Sequence, residues 1–432
     1  MRQGWRWNAP CVALAVLGLA GCTSFVARQI EHPGRAGQKQ LAPFRQVLDE
    51  SGFDYDTMHT RQGVRIAYWY GPPRDYGAEV HVEEHRDRRH VAIHAKFHFR
   101  EKPDHARLLP ARGSVVLLHP WGMEGSAMAA WGLMFASAGY VAVMPDLRSQ
   151  GRSGNAPVGY GPREATDIVD LVHALRIDHR LPGPLYLLGA SYGATVALFA
   201  APQLPEVRGV VALEPYADAV AVIHRAPASG LFGYRWLARW LSPHEMDQAI
   251  ARASRKLGVN LATLDPGDAL ARTSVCTLIL RGTDDVLISA SAMRTLARRS
   301  SRARYVDVPG EGHLSLPMRT DRLIPPLLKW LDALPTMPAS DCPGYAPLPS
   351  VAAPVPRAGG EADGHGVARA LDASGAEREK PKRETAAFPH SSLLFPHSPL
   401  YGITGGTYAS VSPSSHSNPS TSGTCTSSCM KV

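Results

Sequence analysis

The chain is poor in cysteine, in long apolar runs and in clustered charge. Six cysteines in 432 residues, with no zinc-finger spacing among them, suggest neither a metal module nor a disulfide framework. The net charge of +8 is spread along the chain, and aromatic residues do not interleave with basic ones. That pattern argues against nucleic acid as a partner, while leaving attraction to an anionic membrane surface compatible. The apolar run at residues 12–20 is too short to span a bilayer as a mature helix. What is present is 44% hydrophobic content, enough for one large core with appendages or two modest domains.

Arg2 and Arg6 precede that apolar run, and Leu19-Ala20-Gly21-Cys22 follows it. A basic segment, a brief apolar core and small residues before a cut site describe a secretory signal over residues 1–21. The ending resembles a bacterial lipobox, which implies cleavage before Cys22 and lipid attachment to its sulfur. With Thr23 rather than Asp next, the resemblance implies sorting to the outer membrane, facing the periplasm. A plain secretory signal that happens to carry a cysteine is the alternative. Cys11 would leave with the signal. Cys276 falls in an expected core strand, where a free thiol behaves as a small hydrophobe, and Cys342, Cys425 and Cys429 lie at or beyond the domain's end.

Residues 22–41 are polar with scattered Gly and Pro and read as a tether. Alternating stretches at 64–70, 80–83 and 90–99 predict an N-terminal antiparallel edge. Short apolar strands are then expected at 114–119, 140–144, 185–188, 207–213, 276–280 and 304–308, with helices between them, such as 165–177. This alternation predicts an α/β fold, a mostly parallel sheet covered by helices on both faces. Residues 219–273 are too long for a plain connection and read as an inserted helical cap, with Phe232, Trp236 and Trp240 on one helix face. That face could wall an acyl site or simply pack a core. A terminal helix at 319–334 closes a domain spanning 42–335. Residues 336–432, rich in Pro, Ser, Gly and Ala, read as a disordered tail.

The most informative stretch is Leu187-Leu188-Gly189-Ala190-Ser191-Tyr192-Gly193-Ala194. It fits the G-x-S-x-G nucleophile elbow, in which a strand turns sharply into a helix and exposes a serine hydroxyl. A serine needs a base within hydrogen-bond reach, itself oriented by a carboxylate, in the chain order Ser, acid, His. Gly282-Thr283-Asp284-Asp285 and Gly310-Glu311-Gly312-His313 each end an expected strand, in that order. Both fall at the edge of the sheet that carries the elbow, where open α/β sheets bind ligands.

From about Phe53 to Leu334 the chain resembles an α/β-hydrolase. The resemblance implies Ser191 as nucleophile, His313 as base and Asp285 as acid from the G-x-x-D spacing, with Asp284 and Glu214 as rivals for the acid. It implies an oxyanion hole from the backbone N–H of Tyr192 and of Trp121. Pro120 stands where the family commonly has glycine, and proline has no N–H to give. His119 reads as a loop-shaping residue, and Asp146-Leu147-Arg148-Ser149-Gln150-Gly151-Arg152-Ser153-Gly154 as structural support.

His90, His94 and His98 recur every four residues, but the alternation around them says strand. At about 3.3 Å per residue, His90 and His94 would stand roughly 13 Å apart. Zinc needs ligand nitrogens at about 2 Å, so the three cannot share one ion along a strand, although His81 or His85 could pair with one of them. No metal or organic cofactor is expected. The expectation is a lipid-anchored serine hydrolase of the cell envelope that cleaves carboxylic esters of a small acyl substrate through an acyl-enzyme. A serine peptidase, an acyl transferase and a non-catalytic envelope protein on the same scaffold are the alternatives.

Overall fold

A computed structural model describes residues 23–33, 41–86, 91–99, 106–229, 241–338, 341–349 and 391–394. Its centre is an eight-stranded sheet. In chain order the strands are β1 (Asp54–His59), β2 (Arg65–Gly71), β5 (Gly113–Leu118), β6 (Tyr140–Pro145), β7 (Leu185–Ala190), β8 (Val207–Leu213), β9 (Cys276–Gly282) and β10 (Ala303–Val308). They lie side by side as β1-β2-β6-β5-β7-β8-β9-β10. From β6 to β10 every pairing is parallel, while β1 and β2 add an antiparallel edge.

Strands β5, β6 and β7 are buried at every position, as apolar strands covered on both faces should be. Side chains alternate between two cores. Val116, Leu118, Leu185 and Leu187 pack with α4 (Pro162–Ile177) and α5 (Tyr192–Ala200). Val115, Leu117, Tyr186 and Leu188 pack with α2 (Ala42–Glu50), α3 (Ala129–Ser137) and α10 (Thr320–Ala333) on the other face. Between β8 and β9 the chain builds α6 (Ala219–Ser229), α7 (Pro243–Leu257) and α8 (Pro266–Arg272). A Ser242/Glu245 capping box starts α7 and Gly258, at φ 61°, stops it. The Phe232, Trp236 and Trp240 stripe lies outside the described residues. Helix α9 (Ala290–Ala297) follows β9.

Several expectations need correcting. Residues 23–33 are not a free tether: residues 23–31 form a helix, α1, whose Val26, Ala27 and Ile30 are buried in the core shared with α4 and α5. Lys256 of α7 pairs with Glu31, Arg252 donates to Ser24 Oγ at 3.0 Å, and Tyr160 donates to the Ile30 carbonyl at 2.8 Å. Polar composition hid this because only one face of a short helix is apolar. The expected N-terminal edge is also divided differently. The outer neighbour of β2 is β1, whose two acids disguise it as a loop. Strands β3 (Glu79–Arg86) and β4 (Val91–His98) instead form a separate sheet with β11 (Ser391–Leu394). In that register His94 lies opposite Glu83 and His98 opposite Glu79, rather than His81 or His85, and His90 lies outside the described residues.

Two described segments of the tail expected from residue 336 are ordered: β11 pairs with β4, and a strap packs on the domain. The chain at 341–349 lies along α10: Trp330 donates to the Pro343 carbonyl at 3.1 Å, Tyr345 to Leu323 at 3.1 Å, and Arg322 to Leu348 at 2.9 Å. Cys276, expected as a free thiol, is joined to Cys342 in a disulfide that ties this strap to β9. Cysteine spacing alone could not show a pairing across 66 residues. A closed loop of this size restricts the unfolded chain, so Cys342→Ser is expected to lower the unfolding free energy by about 2–4 kcal/mol in denaturant titration. An unchanged midpoint, or free thiols at both positions in peptide mapping, would contradict the strap.

Candidate active site

The site forms where β7 meets α5. Ser191 stands between them at φ 51° and ψ −113°, an uncommon conformation for a residue with a side chain. Two glycines make the turn possible. A Cβ on Gly193 would lie 2.2 Å from the Leu118 carbonyl oxygen, and one on Gly189 would lie 2.2 Å from the Gly193 carbonyl oxygen. The end of β5, the elbow and the first turn of α5 therefore interlock through bare backbone. The Ser191 N–H donates to the Leu213 carbonyl at 2.7 Å, which fixes the elbow to the end of β8.

From this position Ser191 Oγ lies 2.8 Å from His313 Nε2, and His313 Nδ1 lies 2.8 Å from Asp285 Oδ2. The three groups expected from motif order thus meet in one hydrogen-bonded chain, although 122 residues separate serine from histidine. Asp284 is exposed and bonds Thr283, so it is the second acid of the pair that faces the imidazole. Asp285 is buried, which opposes its charge. The bond from His313, the charge on that ring and the N–H groups of Ile288 and Leu287 outweigh burial and hold its carboxyl below the usual range. The histidine loop is clamped from beneath: Glu311 bonds Arg319 and Arg322, its carbonyl accepts the Asp284 N–H at 2.8 Å, and Gly312 donates to Ser315 Oγ at 2.8 Å.

A third acid is present. Glu214, at the end of β8, is fully buried at φ 53°, and its Oε2 lies 3.5 Å from His313 Nδ1. Burial, followed by the Asp285 charge, pushes its carboxyl well above the ordinary glutamate range.

The loop after β5 is held as a rigid arch. His119 is fully buried, accepts the Leu147 N–H on Nε2 at 2.9 Å and reaches the Pro120 carbonyl through Nδ1 at 2.8 Å. Both ring nitrogens serve backbone, and burial pushes the ring down to about 4, so it stays neutral and shapes the loop. The Gly122 N–H donates to Gln150 Oε1 at 2.7 Å. Trp121 therefore sits between two fixed points. Its ring meets Tyr192 at 4.9 Å and Tyr160 at 5.1 Å between centroids. Tyr192 opens α5, where first-turn N–H groups have no acceptor within the helix.

The 146–154 stretch is scaffold throughout. Asp146 accepts from Gly125, Arg152 and Tyr55, and burial pushes its carboxyl up to about 6. Arg148 grips Asp167 with two 2.7 Å bonds in a pair almost wholly removed from water. Breaking such a pair typically costs about 3–5 kcal/mol. Gln150 as the brace of the Trp121 loop was not legible: nothing in a sequence says which amide will face which N–H.

Residues 115–325 match the model of the Alpha/beta hydrolase family. Strand order and family match together show an α/β-hydrolase fold. Among solved structures, an esterase from Pyrococcus furiosus is similar at 16% identity and a TM-score of 0.45, over 67% of this chain and 91% of that one. A thermophilic esterase from Thermogutta terrifontis is similar at 18% identity and a TM-score of 0.44, over 65% and 99%. A membrane phospholipase A described as a bacterial virulence factor is similar at 16% identity and a TM-score of 0.46, over 76% and 98%. No curated protein matches the sequence.

The interlock carries its own test. Gly193→Ala places a methyl against the Leu118 carbonyl, and overpacking of this kind costs about 1–3 kcal/mol. Urea unfolding should show that loss; wild-type stability would mean that the elbow is looser than the geometry says.

Proposed function

We propose that this hydrolase cleaves carboxylic esters through an acyl-enzyme on Ser191. The observation that carries the reading is the unbroken chain from Ser191 Oγ through His313 to Asp285, mounted on the strained elbow. His313 Nε2 takes the hydroxyl proton as Oγ bonds the acyl carbon, and Asp285 holds the imidazolium by its Nδ1–H. The N–H groups of Tyr192 and Trp121 receive the charge on the carbonyl oxygen. The intermediate collapses, and the leaving alcohol departs with the proton from Nε2. Water then repeats the sequence, giving its proton to His313 as its oxygen bonds the acyl carbon. The acid is released and the serine recovers its proton. An ester is favoured over a peptide because the half-buried Trp121, backed by the buried rings of Tyr160 and Tyr192, sets an apolar wall rather than a charge beside the elbow. Turnover of a panel of acyl esters and aminoacyl amides tests this. Ester hydrolysis should dominate and fall on the order of 10⁶-fold in Ser191→Ala. Amide preference would favour the peptidase alternative, and unchanged ester turnover would remove Ser191 from the chemistry.

We further propose that Cys22 is acylated and anchors the enzyme in the cell envelope, at the outer membrane facing the periplasm. The support is the lipobox-like Leu19-Ala20-Gly21-Cys22, together with the packed helix α1 that starts one residue later. An acyl chain on Cys22 would hold the catalytic domain close against the lipid, with no long linker between. Wild-type protein expressed in bacteria should partition into the detergent phase and Cys22→Ser into the aqueous phase. Equal partitioning would leave a plain secretory signal.

A further inference from the structure

Two carboxyl groups face the single Nδ1–H of His313, and the reaction described above uses only one. Asp285 holds that proton at 2.8 Å, while its other oxygen accepts from Leu287 and Ile288 at 2.7 and 2.9 Å. Glu214 reaches the same place from the neighbouring strand. Its Oε1 accepts the Gly282 N–H at 3.1 Å, and its backbone N–H donates to the Leu280 carbonyl at 2.7 Å. Its Oε2 is buried, lies 3.5 Å from Nδ1 and stands beside Asp285, to which a proton on Glu214 would be donated. The nearest ligand atoms of Glu214, Asp285 and His313 all fall within 4.8 Å of one another. The protonated carboxyl is satisfied by Asp285, and the ionised one has the Nδ1–H of His313 within reach, so the group can serve in either state.

We propose that Glu214 is a positioning residue of the triad, a second carboxyl that stands behind Asp285 and takes over the Nδ1–H of His313 when Asp285 is lost. This rests on the serine-hydrolase reading and adds a fourth member to its machinery.

The groups facing Glu214 decide its state. Asp285 stands on the loop after β9, His313 on the loop after β10, and Arg281 on β9 behind them. Two like charges in one dry site do not both ionise, and Asp285 has the better donors, so Glu214 is the member that keeps a proton. In the wild type it is a neutral acid that leaves a single negative charge against the imidazole. Removing the Asp285 carboxylate removes the like charge, and Glu214 then ionises as the pH rises. The ionised form is the one that accepts Nδ1–H, so activity restored in this way must rise with pH and fall in acid.

The experiment compares ester kcat/KM between about pH 5 and about pH 9 for wild type, Glu214→Gln, Asp285→Ala and the double variant, with thermal unfolding of each. Removing the only acid of such a triad costs about 10⁴-fold. With Glu214 behind it, Asp285→Ala should lose only about 10²-fold against that benchmark, and its acid limb should move to higher pH. Glu214→Gln, whose amide can replace a protonated acid, should lose several-fold. The double variant should fall to the full loss and give up the shifted limb. Asp285→Asn, which keeps the side-chain volume, repeats the comparison if Asp285→Ala fails to fold. An Asp285 variant as inactive as the double, with the same pH profile, overturns the proposal, as does Glu214→Gln alone causing the full loss. Failure of the wild type to turn over any ester would instead overturn the underlying reading.

Discussion

Everything at the site depends on a backbone contact. The Leu118 carbonyl at the end of β5 sits where a side chain on Gly193 would be, and the Gly193 carbonyl sits where one on Gly189 would be. With both places empty, α5 can start directly from β7 with no intervening loop. The price is the positive φ of Ser191, a strain of order 1–3 kcal/mol that the surrounding sheet holds in place. That strain lifts the hydroxyl off the sheet edge and aims it at His313. The same turn leaves the Tyr192 N–H at the start of a helix, where the helix dipole favours negative charge.

Buried polar pairs surround this contact and stiffen its neighbours. Arg148–Asp167 lies beneath the 146–154 loop, and Gln150 in that loop braces Gly122 beside Trp121. Glu311 with Arg319 and Arg322 locks the loop that carries His313. These pairs lie on different segments, so the His313 loop and the Trp121 arch are each fixed from their own side. A carbonyl carbon entering the site would meet groups whose rotamers are already set, which is how positioning lowers a barrier.

Much of this was legible because strands buried on both faces are largely apolar, and β5 to β9 announced themselves. The Ser191, Asp285 and His313 set was expected because each follows an expected strand in that chain order, and the fold brings the three within hydrogen-bond reach of one another. What escaped was whatever depends on pairing across distance. Strand β1 carries Asp54 and Asp56 and is a strand only because β2 pairs with it. Helix α1 looks like a polar leader until its Val26 and Ile30 find the core. Cys276 and Cys342 give no local sign of each other. Spacing favoured Asp285 over Asp284, and geometry places Asp285 against the imidazole. Glu214 was a rival acid by its strand position, but that it and Asp285 would both face Nδ1 depended on distances that no motif encodes.

The central claim is that Ser191 is a nucleophile activated by His313. Intact-protein mass spectrometry after exposure to a fluorophosphonate tests it most directly, with wild type, Ser191→Ala and His313→Ala compared. The account predicts one covalent adduct on the wild type and none on either variant. A folded wild type that takes no adduct, or an adduct that survives in Ser191→Ala, would contradict it.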